Sequence, residues 1–392
     1  MSTIADTSRG VVRYIKESTA GVTPAAALTE IRMTGESLNQ TKTTETSNEI
    51  RPDRQITDII PTDSEPSGDI SFELSYDNLD DFIPAALLSA GWSTVVAVSE
   101  TDISAAAADN SYNTVAGDFT GENISVGQWI KVSGFTTNAV NNGYCRVVSI
   151  AVGKLVVSGI TLVNETAGDT IVMEGSMARN GVTSQSFSIE KGFIDIGQFV
   201  SYLGMEASTF SLDISTNAIV KGAIGFMGRT ASVAQTSIGT GAAIAAPTND
   251  VFNATSNVAN VRENGIALSA ATFCAQSISI SLDNGLRGQK CIGLDGNRGI
   301  GKGRCNVTGS LGAYFVDEVL LEKFLNGTAT SIDFRISDAA GNAYIVTMPK
   351  VKYTSGNPEL TGVDADVLIP LDYRALRDPT TDCTIQIDKF DA

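Results

Sequence analysis

The run Gly296-Asn297-Arg298-Gly299-Ile300-Gly301-Lys302-Gly303 is one residue from a phosphate-binding P-loop, GxxxxGK[ST]. Gly303 stands where a hydroxyl should hold magnesium, and Arg304–Leu311 alternates like a strand where a helix is required. The stretch therefore reads as a Gly-rich turn between strands. Asp80-Asp81 offers two carboxylates for acid–base work, but neighbours on a helix point to different faces. Charge complementarity at a helix N-terminus explains them better. Asp364 and Asp366, on one side of a possible strand, could hold a hard cation, yet nothing in the sequence completes such a site. The five cysteines are scattered without CxxC spacing and read as small buried apolar residues. The chain has no histidine, which removes the commonest general base and any Ser-His-Asp or Cys-His arrangement. No catalytic residue, cofactor or metal is expected, and an enzyme has no constellation to support it.

The elements around these residues carry more information. At 392 residues the chain can form two or three domains, and its Gly, Ser, Thr, Val and Ala content points to a mainly β protein. No apolar run is long enough to span a bilayer, and MSTIADTSRGVVRYIKE lacks a signal core. The expected product is soluble and cytoplasmic, without a membrane partner. The formal charge of −17 argues against a phosphate-clamping protein and suits a surface past which nucleic acid moves without binding.

Ile70, Phe72, Leu74 and Tyr76 alternate with Asp69, Ser71, Glu73 and Ser75, which predicts a strand with one buried face. Leu79, Phe82, Ile83, Ala86 and Leu87 then form the apolar stripe of a helix. The same order returns in Cys305, Val307, Gly309 and Leu311, followed by Val316, Val319, Leu320 and Phe324. Pro84 requires either a helix start near Phe82 or a kink. After the second helix a strand begins at Ser331–Ile336; its counterpart after the first is Ser184–Ile189. Residues 92–181 thus read as an insert, with strands expected at Thr94–Val98, Gln128–Ser133, Tyr144–Ile150, Lys154–Ser158 and Thr170–Glu174. Residues 1–91 and 182–231 form the first copy, 232–257 a linker, and 258–392 the second copy.

Several strings resemble the tail tube (major tail) proteins of long-tailed bacteriophages. They are Arg13-Tyr14-Ile15-Lys16-Glu17-Ser18-Thr19, Gly21-Val22-Thr23-Pro24, Ile50–Ile56, Gly68–Ile70, Ile189–Gly204 and Ile219–Gly228. Val126–Ile130 through Asn141-Asn142-Gly143 resembles an accessory module of some members. The resemblance implies two tandem β-sandwich or barrel domains, each with one flanking helix, plus a small all-β inserted domain. It also implies rings that stack into a hollow tube for DNA, with tape-measure, terminator and distal tail or tip proteins as partners. Rings of this family generally carry six such domains, so a two-copy chain is expected to close a ring as a trimer. The polar stretch Asn39–Ser67 is long for a hairpin connection. The resemblance suggests that it bridges stacked rings, with Arg51, Arg54, Ile59 and Ile60 as candidate contact residues. A receptor- or carbohydrate-binding surface protein acting through the insert is the alternative.

Overall fold

The computed structural model describes residues 4–268, 274–358, 360 and 362–392. Among these residues the chain is mainly β, with two short α-helices, and its strand pairings are antiparallel. Two ladders with the same order account for most of it. In the first, Gly10–Lys16 pairs with Ser186–Phe193, which pairs with Gln198–Ser215, then Lys221–Met227, then Ile59–Glu73. In the second, Val258–Glu263 pairs with Thr330–Ser337, then Ala343–Tyr353, then Leu368–Ala375, then Asn306–Tyr314. Each ladder has a further strand against its long central one: Thr230–Ala234 in the first, Gln386–Phe390 in the second. The connection expected over 232–257 thus begins inside a strand, and Phe252 within it is fully buried.

Period-two burial explains the strands. Ile70 and Phe72 face the core in one ladder, and Val307, Leu311 and Ala313 in the other. The helices α1 (Phe82–Ala86) and α2 (Val319–Leu325) occupy matching places after the Ile59–Glu73 and Asn306–Tyr314 strands. α1 starts at Phe82, so Pro84 sits in the first turn, where its missing N–H costs no helical bond. Leu79 lies before the helix, and its carbonyl accepts from the amides of Phe82 and Ile83. The apolar stripe is therefore longer than the helix that carries it.

Residues 96–175 form a second sheet with its own apolar core. Its strand order is Val96–Glu100, Ile171–Arg179, Trp129–Ser133, Gly143–Ala151, Lys154–Ser158, Ser111–Asn113 and Ser104–Ala106. The last two were not expected, because three-residue strands in an Ala-rich stretch show no periodicity. Asp364 and Asp366 also depart from expectation: they are exposed in a turn before Leu368–Ala375, and Asp364 has φ 62°. The short polar side chain tolerates that left-handed backbone. Among the described residues no His/Cys/Asp/Glu group could hold a metal ion, and no helix is long and apolar enough to cross a membrane.

The core under α1 is aromatic. Phe82 lies 4.4 Å from Tyr14, 4.9 Å from Phe187 and 5.4 Å from Phe226 between ring centroids. Such contacts add to the burial of a fully enclosed side chain. Phe82→Ala should lower the unfolding free energy by about 3–5 kcal/mol, read from urea denaturation; a loss below ~1 kcal/mol would contradict this packing.

Candidate assembly surfaces

The first surface is an arm. Asn39–Thr46 pairs with the first half of Ile59–Glu73, from Asn39↔Ser67 to Thr46↔Ile59. The stretch expected as a loop is therefore a β-hairpin whose tip spans residues 47–58. Every residue of Asn39–Thr46 is exposed, so the strand has no core face and no alternating pattern. Thr41, Thr43, Thr44 and Thr46 supply the β-preference instead. Arg51 sits on the tip and bonds Asp53 at 2.9 Å, which holds that carboxyl below its ordinary range. Arg54 turns the chain with φ 58°. Ile59 and Ile60 lie where the hairpin opens, both exposed. Ile50 and Ile56 are exposed on the same tip and belong with them; isoleucines spaced without period gave no signal in the sequence.

The arm has a shorter counterpart in the second ladder. Arg287–Gln289 pairs with Gly299–Gly301, so the P-loop-like stretch is the returning strand of a hairpin. Asn297 donates to the Gly228 carbonyl at 2.7 Å, and Lys302 donates to the Val182 carbonyl at 3.2 Å. Gly296 has φ 92°, and a Cβ there would meet the Arg229 carbonyl oxygen at 2.4 Å, so glycine is required for that approach. The two hairpins brace each other. Lys290 bridges Asp63 at 2.9 Å and Glu65 at 3.3 Å, and Ser64 donates to Asp295 at 2.6 Å.

The second surface is the joint between the ladders. Residues 209–215 pair with 277–283, from Thr209↔Asp283 to Ser215↔Ser277, so one sheet runs through both. Beside it, Tyr344 donates to Asp80 at 2.5 Å, and Lys389 bridges Asp80 and Asp77. Asp81 accepts from Tyr14 at 3.0 Å and makes no capping bond. The acidic pair does stand at the N-terminus of α1, and each carboxylate has a further role: Asp80 ties the ladders together and Asp81 ties α1 to its own sheet.

The insert, although it interrupts the first ladder, docks on the second. Residues 176–179 extend its sheet by pairing with 386–389. Trp129 is buried there: its indole donates to Thr347 at 3.0 Å, and Arg262 lies 4.3 Å from the ring centroid. Arg262 is paired in turn with Asp333 at 2.7 Å. Tyr144 receives Arg335 over its face at 4.6 Å and packs edge-on against Phe390. Tyr112, Phe119 and Phe135 are buried inside the insert.

Asp388 is fully buried in this interface, accepting from the Trp129 amide at 3.1 Å and from Gln386. Burial pushes its carboxyl up to about 7, against the hydrogen bonds from Gln386 and the Trp129 amide, which favour the charged form. A raised folded-state value means that the native chain holds a proton the unfolded chain has lost. Stability from this group is therefore present at low pH and falls as pH rises from about 4 to about 7, by at most about 1.4 kcal/mol per pH unit. Asp388→Asn should flatten that part of the pH dependence and raise the thermal midpoint at pH 7.5. Identical pH profiles for the variant and the parent chain would contradict it.

Among curated proteins none matches the chain. The family described as phage tail tube protein matches residues 7–375, from ahead of the first strand of the first ladder to the end of Leu368–Ala375 in the second. That span takes in the five-strand order of each ladder, the insert and the arm, and the chain belongs to the phage tail tube protein family.

Proposed function

We propose that three chains close a ring with pseudo-sixfold symmetry, and that stacked rings form the DNA-conducting tube of a long, non-contractile tail. The observation that carries this reading is the repeated strand order of the two ladders, joined by continuous pairing of 209–215 with 277–283. Each ladder with its helix is one tube domain, residues 1–91 with 182–234 and residues 258–392, joined by the connection that follows Thr230–Ala234. Residues 92–181 form an accessory domain on the outside of the tube, where a globular unit does not obstruct DNA.

A sheet continued from domain to domain around a ring leaves no free strand edge. The arm reaches the neighbouring ring through Arg51, Arg54, Ile59 and Ile60, with Ile50 and Ile56 adding apolar area. The acidic balance of −17 makes the lumen electronegative, so phosphates are repelled and DNA slides. A tape-measure protein fills the lumen during assembly, and terminator and distal tail proteins cap the ends. The subunit is made in the host cytoplasm and carried in the virion. The insert's aromatics support this reading over glycan binding: Trp129, Tyr112, Phe119 and Phe135 are buried and offer no stacking platform.

Purified protein at raised concentration should form rings about 40 Å apart, from strands of ~17–20 Å plus turns and arm, with three outer knobs per ring in negative-stain averages. Six knobs would refute the trimer. Replacing residues 45–60 by an Asn-Gly turn should leave folded chains and single rings but no tubes; tubes of parental length would refute the role of the arm.

A further inference from the structure

The helices α1 and α2 occupy matching places, yet one is enclosed and the other bare. Aligned on their first residues, Leu79, Phe82 and Leu88 correspond to Val316, Val319 and Leu325. The first three are 0%, 0% and 6% exposed; the second three are 62%, 42% and 67% exposed. At these three positions both sets are apolar, although Ala85 and Ala86 give way in α2 to exposed Glu322 and to Lys323, which is paired with Glu263. Position also separates them. α1 lies in the joint, where the second ladder reaches both of its ends: Asn284 donates to the Ala86 carbonyl at 2.8 Å, and Tyr344 and Lys389 reach Asp80. α2 holds to its own ladder through Leu320, the one buried residue of the helix, and through Phe324 against Gly356. Its other face is open, with Phe315 also partly exposed beside it.

We infer that this open face of α2 closes the ring, and that its occupant is the first ladder of a second copy of this chain. The inference rests on the ring reading above and adds the surface and its mate. The internal joint supplies the template. Gln386–Phe390, which brings Lys389 to α1, pairs with 343–347; Thr230–Ala234 pairs with 199–203 in the same place in the first ladder. The outer side of Gln386–Phe390 is taken by 176–179 of the insert. Among the described residues no strand takes the outer side of Thr230–Ala234, and Val233 on it is 72% exposed. Exposed Val316, Val319 and Leu325 on one ladder and exposed Val233 on the other come together when a second copy repeats the internal joint. Between copies they make a head-to-tail contact, which repeats until the ring closes.

The test uses the full chain. The double substitution Val316→Asp with Leu325→Asp changes exposed positions, so the thermal midpoint should stay near the parental value. The concentration for half-maximal ring formation, read by light scattering and electron microscopy, should rise at least tenfold. Amide exchange on parental rings against dissociated chains provides a second reading that needs no variant: residues 319–325 and 230–234 should both gain protection. A double variant that forms rings at parental concentrations, or rings without new protection at 319–325, overturns the contact and leaves the ring reading standing. Protection at 319–325 without protection at 230–234 overturns the assigned mate. A parental chain that stays monomeric at raised concentration overturns the ring reading and this inference with it.

Discussion

Backbone pairing along Gln198–Ser215 is the constraint on which the rest depends. This one strand pairs with Ser186–Phe193, Lys221–Met227, Thr230–Ala234 and Ala275–Asp283. Its first part belongs to the first ladder alone, and its last part carries the sheet into the second. Backbone N–H and C=O groups buried between strands must find partners. The seven-residue register at the joint therefore sets the relative placement of two units that share one apolar core. Side chains refine that placement through Asp80, Lys389, Tyr344 and Asn284, but they decorate a geometry that the ladder imposes.

The insert uses different physics. It has a core of its own and meets the second ladder through a small cluster of Trp129, Ala343, Ile345 and Phe390. Charged groups surround that cluster: Arg262 with Asp333, Arg335 over Tyr144, and Arg179 bonded to Gln386 and the Val126 carbonyl. Each is stacked or hydrogen-bonded, which offsets the cost of removing it from water. The docking is thus specific in orientation because few other placements would satisfy so many polar groups at once.

Much of this fold was legible in the sequence wherever burial imposed a period. The alternation from Ile70 and the helical stripe from Leu79 returned in the second half, and the matching strand orders follow the same parity. Legibility ended where no core face exists. Asn39–Thr46 is exposed throughout, so its strand leaves only a run of threonines to be read. Roles set by distant partners were also hidden. Asp80 looked like helix-end charge because Lys389 and Tyr344 stand far along the chain. Asp388 carried no signal in the sequence, because Trp129, whose amide it accepts from, stands far from it along the chain. The candidate residues Arg51, Arg54, Ile59 and Ile60 lie on one hairpin, and Ile50 and Ile56, exposed on the same tip, follow no pattern that a sequence could show.

The insert's dependence on Gln386–Phe390 has a consequence in time. During synthesis residues 96–175 emerge well before the strand they dock against and can build their own core first. That later strand also presents Lys389 to the joint. A nascent chain that has not yet extended through Gln386–Phe390 therefore lacks the piece that seats the insert and braces α1. Folding is thus ordered in time: the insert forms as a separate unit, and its seating and the closing of the joint arrive together with one strand.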